Sequence, residues 1–107
     1  MLEEKKSEQA LLVHLKLSDD EFGAFDEREA IFALEDRLIE AIASKSVGEY
    51  DGHEFGEGFG TLYMYGSNVE QLFQAALPTL REYPSHPGSY ILKRYGGPGS
   101  SEERIDL

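Results

Sequence analysis

The order in which hydrophobic periodicity changes along this chain constrains its fold more than any other feature. A segment with period two begins at residue 10, and the residues that it turns to one side are Leu11, Val13, Leu15 and Leu17. A helical pattern follows from Asp26, which can form a capping box with Glu29, and no glycine or proline interrupts it before Gly48. The chain therefore opens with a strand and a long amphipathic helix.

The second part of the chain repeats this order after a hairpin. Two strand patterns, over 47–54 and 59–65, flank the glycine-containing turn Phe55-Gly56-Glu57-Gly58. A second helix begins at a capping box between Ser67 and Glu70, and Pro78 is expected to kink this helix or end it early. A last strand is predicted over 89–95, so the full order is strand, helix, strand, strand, helix, strand.

This order predicts the α+β class and a ferredoxin-like βαββαβ two-layer sandwich. Right-handed crossovers interleave the two halves, which gives an antiparallel sheet with strand order 4-1-3-2. Each helix has one apolar stripe, so both helices are expected on one face of the sheet, and the other face is left open. The predicted core is Leu15, Leu34, Leu38, Leu62, Met64, Leu72 and Phe73.

Length and composition limit the chain to one domain. With 107 residues, we expect one α+β domain over 10–95, a flexible lead-in over 1–9 and a flexible polar tail over 96–107. The absence of cysteine excludes disulfides and thiolate chemistry and is typical of a reducing cytoplasm. No apolar stretch resembles a signal peptide or a membrane span, so a soluble, cytoplasmic protein without a membrane partner is expected.

The charge of the chain favours some partners over others. Twenty-one acidic residues against ten lysines and arginines give a formal net charge of -11. A negative surface field repels phosphate backbones, which disfavours nucleic acid, and it attracts basic proteins. The same charge also serves solubility alone, and that interpretation stays open.

The open sheet face is the first predicted binding surface. The residues assigned to it are Leu12, His14 and Lys16 of the first strand, Phe59, Thr61, Tyr63 and Tyr65 of the third, and Ile91, Lys93 and Tyr95 of the last. In the last strand, Tyr90 and Leu92 compete for the core. Tyrosines beside cations are typical of protein interfaces and base-stacking platforms, so the predicted binding residues are His14, Lys16, Tyr63, Tyr65 and Lys93. Alternatively, the rings only fill a half-exposed sheet with good strand formers.

A second surface is predicted at one edge of the sheet, where strand ends and the hairpin turn meet. The residues expected to converge there are Asp19, Asp20, Glu21, Asp51, His53, Glu54, Glu57 and His86. This acidic rim is either simply solvated or a docking surface for a basic partner. The spacing of His53, Glu54 and Glu57 resembles a zinc-helix motif, but two glycines prevent a helix here, so no metal and no cofactor are predicted.

Glu35 is the one acidic residue inside the apolar arc of the first helix. It either extends to solvent from the edge of the arc or is buried and requires a partner, in which case it is a candidate acid. No second carboxylate is placed to work with it, and no nucleophile elbow or phosphate-binding loop is present. The sequence therefore predicts no catalytic residue.

Two short motifs resemble a family of small bacterial proteins that has no assigned activity. The motifs are Glu49-Tyr50-Asp51-Gly52-His53-Glu54 and Leu62-Tyr63-Met64-Tyr65-Gly66, with Gly58 between them, and the resemblance covers about Leu11 to Gly96. The acidic, cysteine-free composition and the Tyr50-Asp51-Gly52 turn are also similar to the bacterial family of the regulator of ribonuclease E activity B. That resemblance implies an inhibitor that docks on another protein and has no catalytic activity.

These observations together predict a non-catalytic binding or regulatory module. The expected partner is another protein, basic by charge complementarity, or a second copy of the chain, and the expected role is inhibitor-like or antidote-like. The alternative is a small-ligand or nucleotide site on the open sheet face, formed by His14, Tyr63, Tyr65 and Lys93.

Overall fold

The computed structural model describes residues 8–19, 21 and 23–107. This part of the chain folds into two helices and a five-stranded antiparallel sheet, so the predicted α+β class is confirmed. The elements are β1 (Gln9–Lys16), α1 (Phe25–Lys45), β2 (Glu49–Gly56), β3 (Phe59–Gly66), α2 (Val69–Glu82), β4 (Tyr90–Arg94) and β5 (Glu102–Asp106). Of the predicted lead-in over 1–9, residues 1–7 lie outside the described residues, and Gln9 already belongs to β1.

The sheet has the order β2-β3-β1-β4-β5, which differs from the predicted four-strand order 4-1-3-2. The difference is β5, which pairs with the outer edge of β4. The prediction of a flexible tail over 96–107 is therefore wrong for this segment. A turn closed by the amide of Ser100 and the carbonyl of Gly97, 3.0 Å apart, reverses the chain, and the amide of Leu107 donates to the carbonyl of Ser89.

The core lies between one face of the sheet and the two helices. Six of the seven predicted core residues are fully buried, and the seventh, Phe73, is partly buried against them. Both helices contribute to this one cluster, with Leu34 and Leu38 from α1 and Leu72 from α2. In the described part of the chain, both helices pack on this one face and neither lies on the opposite face.

The helix ends differ in detail from the sequence prediction. At α1 the carboxylate that caps the start of the helix belongs to Glu27. It accepts hydrogen bonds from the amides of Ala24 at 3.0 Å and Ser18 at 3.0 Å. At α2 the cap is Asn68, whose Oδ1 accepts from the amides of Glu70 and Gln71. Pro78 does not end α2 early, because the helix continues to Glu82.

The β2–β3 hairpin turns on two residues in the left-handed region. Glu57 has φ 54° and Gly58 has φ 82°, the combination that a two-residue type I′ turn requires. Farther from the turn, β2 contains a bulge, since its register against β3 shifts between Tyr50 and Gly52. This bulge determines which side chains of β2 face the helices.

None of the helices in the described part of the chain is long and apolar enough to cross a lipid bilayer.

Candidate functional site

Register places the predicted residues of β1 and β3 together on the open face. His14 lies opposite Thr61, Leu12 opposite Tyr63 and Lys16 opposite Phe59. Since side chains alternate along a strand, Tyr65 shares this face. The aromatic side chains here are half-buried, because neighbouring side chains on the same face lie against them.

The prediction of which β4 side chains face the open side of the sheet is wrong by one residue. Ile91 is fully buried in the core, and Lys93 is 6% exposed on the helix face. The ammonium of Lys93 donates to Glu70 of α2 at 2.9 Å and lies 4.6 Å from the ring centroid of Phe73. Tyr95 also faces this side, since its hydroxyl donates to Glu70 at 2.6 Å.

Tyr90 and Leu92 therefore occupy the open face in place of Ile91 and Lys93. They pair with His14 and Leu12 of β1. Ile91 and Leu92 are both apolar, so hydrophobicity alone did not distinguish the two phases of β4. Pairing with β1 selects the phase that packs Ile91 against the core.

A row of stacked side chains crosses the open face. The imidazole of His14 stacks on Tyr90 with centroids 4.5 Å apart and planes 15° apart, and Phe59 meets His14 edge-on at 6.2 Å. The guanidinium of Arg104, from β5, lies 3.9 Å from the centroid of Tyr90. Lys16 lies 5.5 Å from the centroid of Phe59. The row extends over four neighbouring strands, from β5 to β3.

The surroundings of His14 favour its neutral form. Burial lowers its pKa, the nearby charge of Arg104 lowers it further, and Glu102 opposes these effects. Its Nδ1 lies 3.4 Å from the hydroxyl of Thr61, and its Nε2 has no hydrogen-bond partner among the described residues. In this setting the imidazole acts as a stacking ring and adds no charge to the face.

A cavity of about 420 Å³ opens at the hairpin end of this face. Its walls combine rings and carboxylates, and the lining residues are His14, Glu54, Phe55, Gly56, Glu57, Phe59, Thr61 and Tyr90. Two residues of the predicted acidic rim, Glu54 and Glu57, thus meet the predicted open face. We refer to this feature as the hairpin cavity.

Glu54 is fixed at the hairpin cavity by Tyr63. The hydroxyl of Tyr63 donates to the carboxylate of Glu54 at 2.8 Å. Burial and this carboxylate raise the pKa of Tyr63 to about 12, so the phenol stays protonated and remains a donor. Tyr63 is therefore a positioning residue for one of the two carboxylates.

The other residues of the predicted rim do not converge at one point. Asp19 accepts hydrogen bonds from the amides of Glu21 and Gly23, both at 2.9 Å, and so closes its own loop. The carbonyl of Glu21 accepts from the amide of Gly58, which does bring this loop to the hairpin turn. Asp20 lies outside the described residues.

Asp51 and His86 lie apart from the hairpin turn. Asp51 lines a separate cavity near the other end of β2, together with Tyr65 and Arg94. His86 pairs with Glu27 at the start of α1, with Nε2 and Oε2 3.0 Å apart. No group of three histidine, aspartate or glutamate side chains among residues 8–19, 21 and 23–107 is arranged to hold a metal ion.

His53 lies on the helix face of β2 and contacts the buried carboxylate of Glu35. Glu35 is 9% exposed, and its carboxylate accepts hydrogen bonds from His53 Nδ1 at 2.6 Å and from the hydroxyl of Tyr50. Burial and the neighbouring carboxylate raise the pKa of Tyr50. The interpretation in which Glu35 is buried with partners is therefore the one that the structure supports, and we call these three residues the Glu35 cluster.

The β-bulge explains why sequence reasoning missed the Glu35 cluster. Residues three apart on a regular strand face opposite sides, so Tyr50 and His53 would be separated. The register shift between Tyr50 and Gly52 brings both onto the helix face, opposite Met64 and Leu62. The available signal was Gly52, whose φ of 126° is a conformation that glycine adopts readily.

Comparison with known proteins adds no assignment. No protein-family model, curated protein or solved structure matches this chain. The resemblance to the regulator of ribonuclease E activity B stays a prediction.

Proposed function

We propose that this chain is a non-catalytic binding or regulatory module that contacts a basic protein, and that the hairpin cavity receives a lysine or arginine side chain of that partner. The observation that carries the proposal is the cavity wall, where Glu54 and Glu57 lie beside the aromatic residues Phe59 and Tyr90. Inhibitor-like and antidote-like roles both follow from such a contact.

The carboxylates supply charge complementarity. Glu54 and Glu57 line the cavity, and its described lining residues include no lysine or arginine. A carboxylate can accept two parallel hydrogen bonds from a guanidinium, and such charge-assisted bonds are stronger than neutral ones. The net charge of -11 adds a long-range attraction that speeds association with a basic protein.

The rings supply a second interaction for the same cation. Phe59 and Tyr90 line the cavity, and a cation over an aromatic face gains about 0.5–2 kcal/mol. The neutral imidazole of His14 does not oppose an incoming charge. Lys16 already lies over Phe59 at 5.5 Å, so a partner cation would displace it from this ring.

Nucleotide binding has less support. The alternative site required Lys93 beside His14, Tyr63 and Tyr65, but Lys93 faces Glu70 and Phe73 on the other side of the sheet. The carboxylates of the hairpin cavity would also repel a phosphate. Nucleotide binding therefore serves as a comparison arm in the experiment below.

A titration with blocked arginine amide, followed by amide NMR, tests the proposal. We expect shifts in the amides of 54–61, and the double variant Glu54→Gln/Glu57→Gln should lose them. A matched control is Glu40→Gln/Glu82→Gln, which makes the same change in charge at two exposed positions on the helices. This control should bind as the parent chain does.

Three outcomes contradict the proposal. The first is equal loss of binding in the control, which would mean that only net charge matters. The second is binding that leaves the amides of 54–61 unshifted. The third is tighter binding of adenosine monophosphate than of arginine amide at the same residues, which would favour the ligand interpretation.

We further propose that the domain is a ferredoxin-like sandwich extended by one strand. Its support is the neighbour order β4, β1, β3, β2, in which all pairs are antiparallel, with β5 added beside β4. An experimental structure tests this proposal, and a different neighbour order would refute it.

A further inference from the structure

Helix α1 exposes three large apolar side chains at intervals of seven residues. Phe25 is 71% exposed, Phe32 36% and Ile39 45%. Seven residues correspond to about 10 Å along a helix and nearly two full turns, so these side chains form one line. We call it the α1 stripe. It is separate from the buried face of α1, where Ile31, Leu34 and Leu38 pack in the core.

The α1 stripe continues onto the edge strand β2. The ring of Phe32 lies 5.3 Å from His53 and meets Phe55 edge-on at 5.9 Å. Phe55 also lines the hairpin cavity. An apolar surface therefore extends from α1 onto the hairpin end of β2.

Acidic residues border the α1 stripe in register with it. Glu29 follows Phe25 by four residues and Asp36 follows Phe32 by four, and both acids are exposed. Residues four apart on a helix are neighbours, so each ring has a carboxylate beside it. The stripe is thus a row of apolar side chains with a parallel row of negative charge.

Charge decides between the candidate occupants of this surface. A second copy packed on the stripe would bring two acidic rows together between chains of net charge -11 each, which is repulsive. Addition of a strand along β2 is opposed by its bulge between Tyr50 and Gly52. A basic amphipathic helix complements both rows. Its apolar side chains would pack on the α1 stripe, and its lysines or arginines would pair with the carboxylates.

We infer that the α1 stripe is a docking surface for an amphipathic basic helix of the partner protein. The helix would present apolar residues on one face and lysine or arginine along the side that meets Glu29 and Asp36. This inference rests on the proposed function for the class of partner, but it concerns different residues and a different experiment.

The probe is a synthetic peptide of leucine and lysine, with leucine at the i, i+3, i+4 and i+7 positions of an amphipathic helix. A peptide of the same composition in scrambled order is the control. We expect the helical peptide alone to shift the amides of 25–39 and to gain helicity on binding. The variant Phe25→Ser/Ile39→Ser keeps Phe32, which packs against β2, and should weaken binding by at least about tenfold.

A second variant tests the acidic row. Glu29→Gln/Asp36→Asn should weaken binding several-fold and flatten its dependence on salt. The inference is overturned if the scrambled peptide binds equally well, or if Phe25→Ser/Ile39→Ser binds with unchanged affinity. The inference is also overturned if the parent chain sediments as a dimer and the Phe25→Ser/Ile39→Ser variant sediments as a monomer. Arginine amide binding at 54–61 should be unaffected by these variants, so the two proposals fail separately.

Discussion

Replacement of Glu35 by glutamine should destabilise the domain more than any surface change on α1. The carboxylate accepts one hydrogen bond from Tyr50 and one from His53. Both donors bond the same oxygen, Oε2, and a glutamine amide can place its one oxygen there. That oxygen carries no charge, so both hydrogen bonds lose their charge-assisted part. Because hydrogen bonds to charged groups contribute about 1.5–3 kcal/mol, we expect a loss of about 2 kcal/mol in the free energy of unfolding.

The two donors of the Glu35 cluster should not contribute equally. The side chain of His53 is 36% exposed and can turn to water, whereas Tyr50 is half-buried on the helix face. Tyr50→Phe should therefore cost about 1–2 kcal/mol, and the double variant with Glu35→Gln should show a coupling energy of about 1 kcal/mol.

Urea unfolding followed by far-UV circular dichroism measures these differences. The matched control is Glu40→Gln, an exposed position on the same helix, which should change stability by less than about 0.5 kcal/mol. The reasoning is refuted if Glu35→Gln is as mild as this control, or if its effect simply adds to that of Tyr50→Phe. Either result would mean that the carboxylate does not hold the two donors together.

Three further predictions concern the core, the start of α1 and metal ions. Leu38 is fully buried, so Leu38→Ala should cost about 2–5 kcal/mol in urea unfolding. Although partial burial acts to raise it, hydrogen bonds from Ala24, Ser18 and His86 lower the pKa of Glu27 to about 2, below the ordinary 4.5. The stability that this shift contributes is present above pH 4.5 and is lost as the pH falls toward 2. When the melting temperature is measured against pH, Glu27→Gln should therefore show a smaller decrease between pH 4.5 and 2 than the parent chain. Calorimetry with zinc or calcium should detect no tight binding, and a raised melting temperature on addition of either ion would contradict this.

Hydrophobic periodicity predicted those helices and strands that have one apolar and one polar side. The long helix, the hairpin and six of the seven predicted core residues are of this kind, because burial selects apolar side chains at regular intervals. The phase of β4 was not predictable in this way, since Ile91 and Leu92 are both apolar. The strand β5 was missed because its residues are mostly charged and exposed, which is also the composition of a tail.

The site was predictable only in part. Strand alternation placed His14 and Tyr63 on the open face, and their register in the sheet agrees with this. Sequence alone did not show that Glu54 and Glu57 meet these rings in one cavity, because that depends on the three-dimensional course of the hairpin. Nor did it show the partners of Glu35, because the bulge in β2 reverses the expected alternation.

The two outer strands of the sheet present the edges along which aggregation at high protein concentration would start. Fibres and sheet-to-sheet aggregates grow by adding chains along a flat, unpaired strand edge. Here one outer strand is interrupted by a bulge, and the other has the sequence Glu102-Glu103-Arg104-Ile105-Asp106, in which four of five residues are charged. Without that strand, the edge of Tyr90–Arg94 would be unpaired, and its apolar residues Ile91 and Leu92 would lie in an open template for aggregation. Strand β5 covers the edge of β4, and we expect this pairing to hinder aggregation along that edge.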